Sequence, residues 1–309
     1  MDGAGLVTGV KPGTATISVV ARSDTALRAS AAVQVEAGAP AYEWIPLDFT
    51  AEALWGSPEA GLFALSGNGV LHYDGTRWTR MQAVPNVRLR GIWGVSASNV
   101  WIVGDQGTVI RYDGAAWRNV EPPPSTLLRD VWVAAPDQVF VLAGDSGEAN
   151  TRVWHYDGTS WHQLHSGPLG GIWGRSATDV FVGLWPRSAL HFDGANWKDT
   201  EAGELLFEFW GTEDEVFGVG AYGTIKRFDG ERWLPMVSGP RNAFRPFQGI
   251  WGSSPANIFA VGDAGMVRHY DGSRWRTVWL GTESPFYDVW GYGNTVFVIG
   301  EQSYMGRPR

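Results

Sequence analysis

Apolar and polar residues alternate along most of the chain in short runs that end in glycine or Asp-Gly. In the stretch GIWGVSASNVWIVGDQGTVIRYDGAAW, residues 91–117, the apolar residues lie in short alternating runs separated by polar turns. A period of two predicts β-strands, and Asp-Gly or Gly-containing turns predict hairpins between them. The stretch therefore predicts three short antiparallel strands and a fourth that begins at Trp117.

This pattern recurs along the chain. The opening Trp of the unit occurs seven times, at Trp55, Trp93, Trp132, Trp173, Trp210, Trp251 and Trp290. The steps between these residues are 38, 39, 41, 37, 41 and 39, which is the length of four short strands with their turns. A closing Asp-Gly-x-x-Trp occurs six times, ending at Trp78, Trp117, Trp161, Trp197, Trp233 and Trp275.

A four-stranded sheet with apolar residues on both faces must be covered on both faces by its neighbours. Tryptophans at repeated positions would fill the wedge between neighbouring sheets, and glycines would allow the strands to approach closely near the axis. The sequence therefore predicts an all-β fold, a seven-bladed β-propeller of four-stranded antiparallel blades. No helical stretch is expected.

The seventh unit stops where the others have their Asp-Gly turn, so it lacks an outer strand. Upstream of the first unit, the segment from Tyr42 to Leu47 matches the outer strand of the fifth unit, Arg232 to Met236, including its proline. Proline is tolerated in an outermost strand because one side of that backbone is unpaired. We predict that the N-terminal segment pairs with the seventh blade and closes the ring.

Residues 1–39 differ in composition from residues 40–309, which form the predicted propeller domain. The segments GLVTGVKPGTATISVVA (Gly5 to Ala21) and ASAAVQVEA (Ala29 to Ala37) resemble the last strands of a bacterial immunoglobulin-like domain of group 2 (Big2). The resemblance implies the C-terminal part of such a domain and a linker, with the rest of the domain, and a signal peptide, lost upstream of Met1.

The repeat IWGSSPANIFAVGDAGMVRHYDGSRW, Ile250 to Trp275, resembles tryptophan- and glycine-rich propeller repeats of secreted or envelope proteins from soil bacteria such as myxobacteria. This resemblance covers about 270 residues, from Ala41 onward. It implies an extracellular or cell-envelope location and leaves the activity open.

Charge and composition narrow the function classes. The net charge is −8, which disfavours a nucleic-acid partner, since such proteins concentrate Lys and Arg on one face. The chain has no cysteine, which excludes disulfides, thiolate metal sites and thiol nucleophiles. No apolar run reaches 18 residues, so no transmembrane segment is expected. We expect no cofactor and a monomer.

Three repeated or motif-like features are interpreted as scaffold. A basic residue precedes each closing aromatic and is expected to pair within its own blade, because equivalent positions on neighbouring blades are too far apart to share a zinc ion: His72, Arg111, His155, His191, Arg227 and His269. The closing Asp residues are interpreted as turn residues. The sequence from Gly218 to Gly223 matches G-x-G-x-x-G, but it leads into a strand and is interpreted as a hairpin.

We expect the functional residues to lie where the seven repeat units differ in sequence. Connections between blades, and between the second and third strands, vary and should share one face: residues 82–90, 121–129, 144–152, 184–188, 201–207, 238–247 and 282–287. Three residues before each opening Trp stands a set of unlike groups that should surround the channel mouth: Glu52, Arg90, Arg129, Gly170, Phe207, Gln248 and Tyr287. The predicted ligand-binding residues are Arg90, Arg129, Trp185, Arg187, Phe207, Arg245, Gln248 and Tyr287.

These residues predict an extracellular or cell-surface recognition module that binds a carbohydrate or a peptide, with a glycan or protein as the partner. A carbohydrate-active hydrolase or lyase is one alternative. Asp130, Glu208 and Asp288 share a column two residues before the Trp, but they belong to blades three, five and seven and are not expected to be neighbours. No catalytic triad order or H-E-x-x-H motif is present. A structural protein-assembly disc is the second alternative.

Overall fold

The computed structural model describes residues 13–20, 28–35, 42–81, 86–144, 151–236 and 245–309. The chain divides into two compact units close to residue 42, and the larger one covers Glu43–Pro308. In the smaller unit, strands β1 (Gly13–Val20) and β2 (Arg28–Val35) form an antiparallel hairpin. The predicted linker, Ala37 to Pro40 (Ala-Gly-Ala-Pro), lies outside the described residues.

Within the described residues, the larger unit contains seven four-stranded antiparallel sheets, which confirms the predicted propeller. Blade one comprises β4 (Ala53–Ser57), β5 (Gly61–Ser66), β6 (Gly69–Tyr73) and β7 (Trp78–Arg80). Blade two comprises β8 (Leu89–Ser96), β9 (Asn99–Gly104), β10 (Val109–Tyr112) and β11 (Trp117–Asn119). Blade three comprises β12 (Leu128–Ala135), β13 (Gln138–Ala143), β14 (Thr151–Tyr156) and β15 (Trp161–Gly167).

Blades four to six follow the same order from the axis outward. Blade four comprises β16 (Leu169–Ser176), β17 (Asp179–Leu184), β18 (Ser188–Phe192) and β19 (Trp197–Asp199). Blade five comprises β20 (Leu206–Gly211), β21 (Val216–Gly220), β22 (Thr224–Phe228) and β23 (Trp233–Pro235). Blade six comprises β24 (Phe247–Ser254), β25 (Asn257–Gly262), β26 (Met266–Tyr270) and β27 (Trp275–Thr277). One 3-10 turn, Ala221–Gly223, joins β21 to β22, so the G-x-G-x-x-G stretch forms a hairpin, as predicted.

Blade seven is built from both ends of the propeller sequence. Strands β28 (Phe286–Tyr292), β29 (Thr295–Gly300) and β30 (Ser303–Pro308) are followed in the sheet by β3 (Tyr42–Leu47). The predicted closure of the ring by the N-terminal segment is confirmed. The ring of Trp44 lies against Gly306, where an added Cβ would be 2.8 Å from Cη2 of the indole. Backbone pairing and indole burial therefore hold this junction together.

Several of the tryptophans in the outer strands pack against an aromatic residue in the second strand of the preceding blade. Trp117 of blade two lies edge-on to Phe63 of blade one, with ring centroids 6.2 Å apart, and Trp78 of blade one lies 5.7 Å from Phe297 of blade seven. Trp44 makes the equivalent contact with Phe259 of blade six. Aromatic burial thus continues around the whole ring, including its junction.

The six closing Asp residues are turn residues, as predicted. Asp113 accepts hydrogen bonds from the N–H groups of Ala115 and Ala116, and the same pattern occurs at Asp74, Asp157, Asp193, Asp229 and Asp271. The N–H groups of Ala116 and Ala115, helped by Arg118, lower the pKa of Asp113 to about 2. These carboxylates are charged at any ordinary pH and hold the outer hairpins.

The basic residues before the closing aromatics pair within their own blades. His72 contacts the carbonyl oxygen of Ala60, His155 contacts Gln138, and His269 contacts Asn257. Burial lowers the pKa of His155 and His269, so these imidazoles are neutral near pH 7. The predicted scaffold role is confirmed for these residues.

Candidate functional site

The inner strands surround a cavity of about 310 Å³ on the face that carries the varying connections. We call it the mouth cavity. All seven residues that stand three positions before an opening Trp line it, as predicted, and all are half-buried: Glu52, Arg90, Arg129, Gly170, Phe207, Gln248 and Tyr287. Its volume lies at the lower end of the range found for ligand pockets.

A β-bulge in the inner strand explains why these side chains reach the cavity. In blade two, Leu89 pairs with Gly104 and Gly91 pairs with Val103, so Arg90 has no partner on the neighbouring strand. Register shifts occur at the equivalent place in blades three to seven. A bulge redirects side chains locally, which allows two successive residues to face the same cavity. Simple alternation would send them to opposite faces.

Acidic residues that follow the second strand pair with several of the mouth residues. Arg90 forms a two-point ion pair with Asp105, and Gln248 donates to Asp263 at 3.4 Å. The hydroxyl of Tyr287 reaches Glu301 at 3.5 Å. Glu52 of blade one pairs with Arg88, an exposed residue of the connection to blade two, at 3.1 Å. These contacts hold both hydrogen-bond donors and acceptors in place at the rim.

Four blades have no acidic residue directly after the second strand: the residues there are Gly67, Gly144, Trp185 and Ala221 in blades one, three, four and five. Blades four and five also lack a charged mouth residue. The mouth residues of the same blades are Gly170, which has no side chain, and Phe207. This side of the mouth is therefore less charged than the opposite side, and Phe207 presents an apolar surface to the cavity.

Three carboxylates, Asp130, Glu208 and Asp288, also line the mouth cavity. The expectation that they are not neighbours is wrong. The charges of Asp130 and Asp288 both act on Glu208, although the three residues belong to blades three, five and seven. Inner strands of alternate blades converge at the axis, and the bulge turns this second column of residues into the same cavity.

The carboxylates alternate with small residues. The equivalent positions in blades one, two, four and six are Ala53, Gly91, Gly171 and Gly249. A Cβ on Gly91 would lie 2.9 Å from Cα of Asp130, and a Cβ on Gly249 would lie 2.8 Å from Cα of Asp288. Each of these glycines makes room for the carboxylate-bearing strand of the next blade. The alternation visible in the sequence is thus a packing requirement.

Two of the carboxylates join neighbouring blades. Asp130 accepts the N–H of Val131 in its own blade at 2.8 Å and the N–H of Ile172 in blade four at 3.1 Å. Asp288 accepts the N–H of Leu54 in blade one at 2.8 Å in the same way. Glu208 accepts the N–H of Phe209 at 3.3 Å. Asp288 therefore reinforces the junction where the ring closes.

The narrow, protein-surrounded cavity makes these carboxylates hard to ionise. Burial raises the pKa of Asp130 to about 6 and that of Asp288 to about 7. Burial and the charges of Asp130 and Asp288 together hold the pKa of Glu208 well above its usual range. Backbone N–H donors oppose the shift at each site without reversing it. The floor of the cavity therefore takes up protons near neutral pH.

Five of the eight predicted binding residues meet at this cavity: Arg90, Arg129, Phe207, Gln248 and Tyr287. Trp185, Arg187 and Arg245 do not line it. They are exposed, with Trp185 at 54%, on connections farther from the axis. Parts of three varying connections lie outside the described residues: 82–85, 145–150 and 237–244. Trp185, Arg187 and Arg245 stay predictions as ligand contacts.

The described residues form neither a metal cluster nor a membrane-spanning helix. Among them, no group of three or more His, Cys, Asp or Glu side chains has a metal-binding arrangement. Over the same residues, no helix has the length and apolar character needed to cross a bilayer.

No protein-family profile and no curated protein matches the chain. Solved structures do match its fold. It is similar to YCF48 bound to a D1 peptide, with a TM-score of 0.68 and 16% sequence identity, over 87% of this chain and 95% of that chain. It is also similar to the WD40 β-propeller domain of Doa1, with a TM-score of 0.69 and 12% sequence identity, over 87% of this chain and 98% of that chain. YCF48 from Cyanidioschyzon merolae gives a TM-score of 0.67 at 12% identity, over 87% and 99%. At these identities the likeness establishes the propeller fold.

Proposed function

We propose that this protein is a recognition module that binds an extended peptide segment of a protein partner at the mouth cavity. The observation that carries the proposal is that seven residues of six types, one from each blade, surround one cavity. The rest of each blade is nearly repetitive. A scaffold that varies only where side chains face a shared cavity is typical of a binding protein.

The chemistry of the rim suits a peptide. A peptide backbone presents alternating N–H donors and C=O acceptors. The Arg90–Asp105, Gln248–Asp263 and Arg88–Glu52 pairs supply both kinds of group in fixed positions. Phe207, beside Gly170, offers an apolar site for one side chain. A propeller of the same fold, YCF48, is described with a bound peptide, which supports this ligand class.

The test is selection of a random peptide library on the immobilised protein, followed by affinity measurements on single variants. We expect Arg129→Ala and Phe207→Ala each to weaken binding by roughly tenfold or more, as expected for residues central to an interface. The matched control is Arg77→Ala, an exposed residue of an outer turn whose backbone contact with Asp74 survives the change. Selected peptides that bind all three variants equally would overturn the proposal.

Carbohydrate is the other ligand class that the sequence predicted, and a glycan array on the same variants addresses it. A glycan that binds the parent protein and is lost with Phe207→Ala, together with an empty peptide selection, would keep the site and change the ligand. A structural disc is disfavoured by the mouth cavity, since a flat varying face would suit assembly better.

Hydrolysis of a glycoside is a second candidate, favoured by one observation. Glu208 shares the cavity floor with two further carboxylates, and its raised pKa is the property required of a general acid. The oxygens of Asp130 and Asp288, however, are engaged by backbone N–H groups. Turnover of aryl glycosides that disappears in Glu208→Gln would support this candidate, and absence of turnover in the parent protein would remove it.

An extracellular or cell-envelope location, and a Big2 origin for the hairpin β1–β2, belong to the same proposal. They rest on the resemblances of residues 5–37 and of the propeller repeats. Fractionation of the source cells tests the location: recovery of the protein only in the cytoplasmic fraction would contradict it.

A further inference from the structure

A second and larger cavity, of about 880 Å³, lies at the other end of the channel. We call it the indole cavity. Six of the seven opening tryptophans line it: Trp93, Trp132, Trp173, Trp210, Trp251 and Trp290. Trp93, Trp210, Trp251 and Trp290 are only half-buried. A soluble protein rarely leaves so much aromatic surface around a solvent-filled space unless a ligand uses it.

Three indoles separate this cavity from the mouth. Trp93, Trp210 and Trp290 line both cavities. Trp93 and Trp290, from blades two and seven, meet edge to face with ring centroids 5.4 Å apart. The indole cavity is therefore a separate site, which opens among the repeated turns.

Trp93 packs differently from most opening tryptophans, because the residue that faces it in the next blade is not glycine. In the next blade, the opening Trp is usually followed by a glycine, and the indole of the preceding blade packs on that glycine. Trp55 packs in this way on Gly94, where an added Cβ would be 2.8 Å from the indole. In blade three this residue is Val133, and Trp93 instead contacts Trp290. One substitution in the repeat thus places an indole across the channel.

The rim of the indole cavity carries a local charge. Of the fourteen residues that stand two or three positions after an opening Trp, only Arg175 and Glu213 are charged. Both line the cavity. Arg175 is neutralised by Asp179 at 2.6 Å, and it also donates to the carbonyl oxygen of Glu213 at 2.8 Å.

The carboxylate of Glu213 is the uncompensated charge. It is exposed and makes no hydrogen bond or ion pair within the described part of the chain. The cavity therefore combines electron-rich indole rings with one negative charge. This combination attracts a cation whose own surface is apolar, because the ring quadrupole and the carboxylate both favour positive charge.

We propose that the indole cavity binds a small organic cation of the trimethylammonium class, such as a choline headgroup or a trimethylated amine. The methyl groups contact the indoles, and Glu213 lies beside the positive charge. The site is independent of the peptide proposed for the mouth.

The probe is choline, and its matched control is 3,3-dimethylbutan-1-ol, which has the same shape without the charge. Isothermal titration and indole fluorescence should detect choline at millimolar concentrations and not the alcohol. Equal binding of the two would overturn the proposal, because the site would then recognise only apolar volume. Binding of a neutral sugar in place of choline, or of none of the probes, would overturn it as well.

Surface variants locate the site without disturbing the fold. Glu213→Gln should weaken choline binding about threefold, as expected for one exposed charge pair. Asp214→Asn, the adjacent exposed carboxylate that does not line the cavity, should leave it unchanged. Glu208→Gln, which alters the mouth cavity, should also leave choline binding unchanged. Loss of choline binding in Glu208→Gln, with Glu213→Gln unaffected, would move the cation to the mouth carboxylates and refute the proposal.

Discussion

The two ends of the central channel are built by the same seven strands in opposite ways. At the mouth, seven residues of six types surround the cavity, from Glu52 in blade one to Tyr287 in blade seven. Three positions after each mouth residue, all seven inner strands have a tryptophan. The difference follows from packing. The indoles pack between blades, whereas six of the seven mouth residues lie at bulges beside a cavity.

This contrast shows where the fold leaves room for function. Where a residue touches a neighbouring blade, that contact limits the size of its side chain. Gly252 is an example, because an added Cβ would lie 2.7 Å from the ring of Trp210 in the preceding blade. Positions on the bulge face water and can change without disturbing the neighbouring sheet. The mouth can therefore carry a ligand-specific set of residues on an otherwise repetitive scaffold.

The largest effect is expected from a substitution at the repeated end. Gly252→Val forces the ring of Trp210 away and should destabilise the protein by about 3 kcal/mol. The matched change in the same strand, Gln248→Val, alters only the mouth and should shift the free energy of unfolding by less than about 0.5 kcal/mol. Chemical denaturation of both variants measures this difference. Equal destabilisation would show that the two ends are equally restricted.

The two ends should also differ in their response to pH. Asp130 and Asp288 keep their protons in the folded protein up to about pH 6 and 7. The unfolded chain releases them near pH 4. Between these values the folded state binds more protons, so stability falls as pH rises, by roughly 1.4 kcal/mol for each pH unit over which one carboxyl group is protonated only in the folded state. Denaturation from pH 4.5 to 7.5 should show this slope, and Asp288→Asn should make it shallower.

An unchanged slope in Asp288→Asn would mean that this carboxyl is charged in the folded protein and that the cavity does not disfavour its ionisation.

The smallest effect is expected in the outer turns. Asp113 has a pKa of about 2 and stays charged over this range of pH. Asp113→Ala removes the acceptor of two backbone N–H groups and should lower Tm by about 2–4 °C, equally at pH 5 and pH 8. Scanning calorimetry at the two pH values checks this. A loss confined to one pH would show that Asp113 titrates in this range.

The sequence was sufficient for the fold because the repeat is nearly regular. Tyr42–Leu47 could be assigned to blade seven because six units close with a Trp and the seventh does not. The mouth residues could be placed because they occupy one column. The bulge could not be read from the alternation, so Asp130, Glu208 and Asp288 were wrongly separated. Their alternation with Gly91, Gly171 and Gly249 is the sequence signal that these three side chains share one cavity.

The indole cavity was also missed, for a different reason. The repeated tryptophans predict only wedges between blades, which is correct for Trp55, a buried residue that does not line the indole cavity. Whether an indole also faces solvent depends on the residue opposite it in the next blade, as Val133 shows for Trp93. That pairing between blades requires coordinates.

Hydrogen–deuterium exchange with a library-selected peptide tests the central claim most directly, because it reports where the ligand binds. The account predicts slower exchange at the start of the inner strands, around Arg90, Arg129, Phe207, Gln248 and Tyr287, with no change in the turns at the opposite end. Protection confined to those turns or to the outer strands would contradict it.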